Sequence, residues 1–162
     1  MMWFRRILLR QVPSTSMDLR HEIRWFATAV GHVEQNLDHF TKVYTTGYSF
    51  FDQNGNRIAK YGVFWGPNDP RNAIRTLPGS TNVAATLTAI LEVIHMAREE
   101  EPPPSLLIYS DLQSTEDLLK NLRDYAKRDF YLRRRDEKMK NAEILQDLFS
   151  AVQGLHLKVI FY

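Results

Sequence analysis

At 162 residues with 44% apolar side chains, the chain is long enough for one domain with its own core and too short for two full ones. Its 21 basic and 19 acidic side chains nearly cancel, so bulk charge gives no strong pull toward polyanions and the placement of charge has to decide. There is no cysteine, which excludes disulfide frameworks, thiolate zinc sites and cysteine nucleophiles, and no apolar run approaches the roughly 20 residues of a membrane-spanning helix.

Residues 1–17 set Arg5, Arg6 and Arg10 among Trp3, Phe4, Ile7, Leu8 and Leu9, with Ser14 to Ser16 following and no acid before Asp18. That is the make-up of a mitochondrial presequence, and equally of a basic amphipathic element docked on a domain or partner. The second reading is adopted. It goes with an intracellular setting, cytoplasmic or nuclear, with the mitochondrion as the alternative.

A helix is predicted from about Asp18 to Asp38. Its apolar positions, Leu19, Ile23, Phe26, Val30, Val33 and Leu37, alternate steps of four and three, a heptad-like seam down one face. Arg20, Glu22, Arg24, Glu34, Gln35 and Asn36 occupy the other face. Such a seam needs a mate, so these six residues are candidates for a protein interface, with another partner or a second copy of the chain.

Strands follow. Val43 to Phe51 alternates and is rich in β-branched and aromatic residues; Asp52 to Asn56 holds an Asn-Gly hairpin signal; Arg57 to Trp65 returns. After the breaks Gly66-Pro67 and Asp69-Pro70, Asn72 to Leu77 adds a third strand, closed by Pro78-Gly79. From Thr81 to about Arg98 the residues are apolar almost all round, which calls for a helix covered on most sides. Glu99 to Pro104 is an acidic, proline-rich linker, and Leu106 to Tyr109 a short buried strand. Ser114 and Asp117 make a capping box for a helix to about Asp124. Tyr125 to Lys140 is crowded with charge, Lys127, Arg128, Arg133, Arg134, Arg135, Lys138 and Lys140 among Tyr125, Phe130 and Tyr131. An amphipathic helix from Ala142 to Gln153 ends at Gly154, and Leu157 to Phe161 alternates as a last strand. The order reads as α/β with a mixed sheet.

Several words of this sequence, in this order, resemble the type 1 ribonuclease H family: Val43-Tyr44-Thr45-Thr46-Gly47, Gly62-Val63-Phe64-Trp65-Gly66-Pro67, Leu77-Pro78-Gly79, Thr81-Asn82, Leu87-Thr88-Ala89-Ile90, Ile108-Tyr109-Ser110-Asp111, and Asn141, which falls where the family has an asparagine opening its fourth helix. The resemblance covers the chain from near Lys42 to the end. It implies a ribonuclease H-like mixed five-stranded sheet flanked by helices, with an added N-terminal amphipathic helix. The division expected is residues 1–41 as basic segment and helix, and 42–162 as the domain.

The family cuts the RNA strand of RNA–DNA hybrids by two-metal chemistry, in which several carboxylates converge on two Mg²⁺ ions. The resemblance places the family's first acid at Thr46, its second at Thr86 and its third at Asp111; the fourth lies beyond the last strand of this sequence. Glu92 is six positions after Thr86, about 240° around the helix, and points elsewhere. The expectation is therefore a degenerate site at Thr46, Thr86 and Asp111, with no metal, no cofactor and no enzyme activity: a pseudoenzyme that serves as a protein-binding scaffold or subunit in an RNA-associated complex. The alternative is a non-cleaving RNA or RNA–DNA hybrid binder. The plainer reading of Asp111, and the one favoured, is a strand-end residue that caps the following turn.

Of the family's hybrid contacts, Thr81 and Asn82 are kept, although Thr-Asn also caps helices well. The family's next two contact residues are Val83 and Ala84 here. The basic stretch corresponds to the family's basic protrusion, which makes Lys127, Arg128, Arg133, Arg134 and Arg135 candidates for nucleic-acid binding. Asp124, Asp129, Asp136 and Glu137 are interspersed, so the same stretch reads equally as a solvated helical face. No histidine pair shows a ligand spacing, and there is no glycine-rich phosphate loop.

Overall fold

The computed structural model describes residues 37–162 apart from Arg135. The basic segment, and the helix with seam residues Leu19, Ile23, Phe26, Val30 and Val33, lie outside the described residues. Leu37, the last member of the seam, is described. It is not helical, and it packs against Phe40, Leu107, Tyr109 and Ile160 of the domain.

Strand β1 (Thr41–Phe51) is followed by β2 (Arg57–Phe64) and β3 (Ala73–Pro78) in an antiparallel meander. The turn between β1 and β2 is set by Asp52, whose carboxylate accepts from the backbone N–H groups of Asn54 at 2.9 Å and Asn56 at 2.8 Å, with Gly55 at φ +77°. Helix α1 (Asn82–Arg98) then crosses to β4 (Leu106–Ser110), which lies parallel to β1. A 3₁₀ turn (Gln113–Thr115) leads to two short helices, α2 (Glu116–Lys120) and α3 (Leu122–Ala126). Helix α4 (Ala142–Ala151) returns the chain to β5 (Leu157–Phe161), parallel to β4. The sheet has five strands in the order β3-β2-β1-β4-β5. A five-stranded mixed sheet flanked by helices is what the sequence led us to expect.

The core lies between the sheet and α1, which packs across β1 and β2 and also against α4. Val43, Val63, Leu87, Ile90, Ile94, Ile108, Leu145 and Leu148 are fully or almost fully buried there. Each such side chain contributes roughly 1.5–3 kcal/mol when removed from water. Gly47 fixes how closely α1 can approach. A Cβ at that position would meet the backbone nitrogen of Thr86 at 2.5 Å and its Cα at 2.8 Å, so only glycine allows the helix to rest on β1. At the other end of α1, the Arg98 guanidinium donates to the carbonyls of Ala151, at 2.7 Å, and Gln153, closing the C-terminus of α4.

Two local expectations fail. The capping box at Ser114 does not form: the chain makes a 3₁₀ turn first, and the residue before α2 is Thr115, whose hydroxyl donates to the Leu112 carbonyl at 2.7 Å. The charged stretch is not a continuous helix. Helix α3 stops at Ala126, Asp129 and Phe130 take left-handed conformations at φ 49° and 60°, and Tyr131 bridges Lys138 across a loop. Burial of the Phe130 ring in the core, edge-on to Phe149, holds the backbone there despite its cost.

Candidate functional site

Parallel pairing of β1 with β4 sets Thr45 opposite Ser110, so the residue after β4, Asp111, comes beside Thr46. The Thr46 hydroxyl donates to the Asp111 carboxylate. Thr86, in the second turn of α1, rests on Gly47 and is fully buried. The three positions that the resemblance singled out are thus gathered around the Thr46–Gly47 step of β1. Three side-chain oxygens of this neighbourhood, Thr86 Oγ1, Ser110 Oγ and the second carboxylate oxygen of Asp111, are buried with no hydrogen-bond partner. Burial pushes the Asp111 carboxyl above the usual carboxylate range, outweighing the lowering by the Thr46 hydroxyl.

The resemblance implies a pair of Mg²⁺ ions at this place. The donor set consists of one carboxylate, whose neutral form burial favours, and the hydroxyls of Thr46, Thr86 and Ser110. A pair of hard divalent ions needs several carboxylates, and this set does not fit it. Among the described residues no group of three or more His, Asp or Glu side chains is placed to hold a metal. Glu92 is engaged elsewhere, accepting from the Tyr61 hydroxyl and from Arg75 at 2.9 Å; burial and that carboxylate push the Tyr61 phenol up to about 12.

A second feature opens at the starts of two helices. A groove of about 530 Å³ is lined by Thr81, Asn82 and Val83 at the start of α1, Lys140 and Asn141 at the start of α4, Ser49 and Arg57 from the hairpin strands, and Leu118, Leu132 and Met139. At α1 the Thr81 hydroxyl accepts from the Ala84 N–H at 3.2 Å, and the Asn82 side-chain oxygen from the Val83 N–H at 2.9 Å. No acid occupies its first turn. Before α4, Asn141 stands at φ 63° with no side-chain cap bond; Glu143, in the first turn, does not line the groove. Arg57 and Lys140 form no ion pair with any described residue.

Of the residues chosen from sequence for nucleic-acid contact, Thr81 and Asn82 enter the groove. Lys127, Arg128, Arg133 and Arg134 do not line it, and Arg135 is outside the described residues. Lys127 pairs with Asp124 at 3.0 Å, and the Arg128 guanidinium lies over the Tyr125 ring at 5.0 Å. Arg133 and Arg134 are exposed on the loop. Sequence reasoning missed Arg57, at the first position of β2, because nothing in a lone strand-opening arginine marks it. Asn141 was noticed as a helix opener, and Lys140 only as part of a charge run.

No protein-family model and no curated protein sequence matches the chain. Solved structures do. A foamy viral protease-reverse transcriptase in complex with dsDNA superposes with TM-score 0.65 at 12% identity, covering 80% of this chain and 85% of that one. LC9-RNase H1, described as a type 1 RNase H with the type 2 active-site motif, gives TM-score 0.54 at 16% identity over 76% of this chain and 63% of that chain. The fold is that of a ribonuclease H-like domain. A foamy viral protease-reverse transcriptase in complex with RNA/DNA hybrid gives TM-score 0.62 at 10% identity over 81% of this chain, which spans only 18% of that one.

The ribonuclease H-like fold corrects one expectation. The replaced acids at Thr46 and Thr86 led us to expect no enzyme. Among the structures that share this fold are ones named as ribonuclease H, including LC9-RNase H1, which carries the type 2 active-site motif on a type 1 enzyme. The expectation of no enzyme is therefore withdrawn. Among the described residues, no helix is long and apolar enough to cross a membrane.

Proposed function

We propose that the domain binds nucleic acid, RNA or an RNA–DNA hybrid, by its sugar–phosphate backbone along the groove between the starts of α1 and α4. One observation carries this reading. Two helix N-termini open onto a single groove together with two cations, Arg57 and Lys140, that no described acid neutralises. A helix start carries a positive dipole end, which suits a phosphate, and a phosphate oxygen can replace the side-chain caps that Thr81 and Asn82 supply to Ala84 and Val83. The side chains of Asn82 and Asn141 add amide groups suited to ribose hydroxyls and phosphate oxygens. The foamy viral structures with this fold were solved with dsDNA and with RNA/DNA hybrid, which supports the same class of ligand.

Fluorescence anisotropy with a labelled hybrid over a salt series tests the proposal. Each phosphate that a cation no longer neutralises reduces the salt slope by about 0.9, so Arg57→Ala with Lys140→Ala should flatten it by about two units. An unchanged slope in a folded double variant sinks the reading. A role as a scaffold or subunit in an RNA-associated complex is a second reading, supported by the heptad-like sequence spacing of Leu19, Ile23, Phe26, Val30 and Val33. Light scattering tests it: the chain should show more than one chain's mass, and Ile23→Asp with Val30→Asp should lower it. A single-chain mass, with no partner retained, removes it.

A further inference from the structure

Phe51, the last residue of β1, is 64% exposed, more than any other large apolar side chain described. It pairs across the hairpin with Arg57, whose guanidinium lies over the ring at 5.1 Å. Arg57 also lines the groove, and it has no acidic partner among the described residues. The acid next door, Asp52, is turned to its own loop, where its two oxygens accept from Asn54 and Asn56. At the groove's rim there is thus an open aromatic face backed by a cation. Leu132, 37% exposed, is an apolar residue of the groove lining.

A nucleic-acid strand that leaves the groove past this hairpin has phosphates to offer Arg57 and base faces to offer Phe51. Paired bases inside a duplex are already stacked and cannot use a ring at the rim; an unpaired base can. We propose that Phe51 and Arg57 form a stacking step for the first unpaired nucleotide of a strand held in the groove. The preferred ligand is then a hybrid with a single-stranded overhang and not a blunt one. This rests on the reading of the groove as a nucleic-acid site.

The test compares a blunt hybrid with one carrying a short overhang whose first base is 2-aminopurine, using the whole chain. Wild type should bind the overhang substrate about tenfold more tightly, the usual scale of one base–aromatic stack, and quench the probe. Phe51→Leu keeps an apolar side chain but no π-face; it should lose the increment and the quenching while binding the blunt hybrid as wild type does. Phe51→Trp should keep both. Equal affinity for the two substrates in wild type, or an increment that survives in Phe51→Leu, overturns the inference while leaving the groove reading intact. No binding of the blunt hybrid at all overturns the groove reading itself, and the inference with it.

Discussion

Around Asp111 the polar atoms are buried: three oxygens lack a hydrogen-bond partner among the described residues, the carboxyl is pushed toward its neutral form, and Gly47 leaves no space between strand and helix. In the groove Arg57, Asn82 and Lys140 are exposed, the two cations have no ion-pair partner among the described residues, and two helix starts line the same space. In a buried site, each substitution acts through packing and desolvation and moves stability. In an open basic site it acts through counterion release and moves affinity. The same fold therefore separates a region where mutations should change Tm from one where they should change the salt dependence of binding.

The largest effect expected is on the buried side. Gly47→Ala drives a methyl into the Thr86 backbone, which cannot rotate away, and should cost about 3 kcal/mol or more by denaturant unfolding. A loss under about 0.5 kcal/mol would show that α1 sits less tightly on β1 than its geometry says.

Next comes pH. The Asp111 carboxyl has a folded pKa above its ordinary 3.8, so the native state holds the proton more strongly than the unfolded chain. The stability it contributes is fully present below pH 3.8 and is lost as pH rises through the folded pKa. Asp111→Asn removes a titrating group that burial disfavours. It should raise Tm at pH 7 and make stability flatter from pH 4 upward; a lower Tm at pH 7 would mean that the Thr46 hydroxyl and the backbone N–H groups of Gly47 and Asp111 hold the carboxylate more strongly than burial disfavours it.

The smallest effect should come from the exposed loop. Neutralising Arg133 and Arg134, which do not line the groove, should change hybrid affinity less than twofold at physiological salt, where charges beyond about 8 Å are screened. A loss as large as that of the Arg57 and Lys140 variant would erase the distinction between groove and loop.

Much of this fold is legible in the sequence. Alternation marks the hairpin strands, the all-round apolar pattern marks α1, and the ordered words lead to the sheet and to the meeting of Thr46 with Asp111. These signals are local or carried by linear order. The groove is not legible, because it joins residues far apart in the chain: Arg57 opens β2, Thr81 precedes α1, and Lys140 precedes α4. Charge density along a chain says nothing of which side chains share a surface, so the basic run could not by itself point to the groove. After the turn at Asp129 and Phe130, which buries one aromatic ring, Leu132, Met139 and Lys140 of that run line the groove while Arg133 and Arg134 do not.

The most direct test of the groove is a backbone amide NMR titration of the isotopically labelled chain with a short RNA–DNA hybrid. The largest shifts are expected at the N–H groups of Asn82, Val83, Asn141 and Ala142 and at Arg57, with little change at Arg133 and Arg134. Shifts concentrated on the 131–138 loop, with the starts of α1 and α4 unmoved, would contradict it.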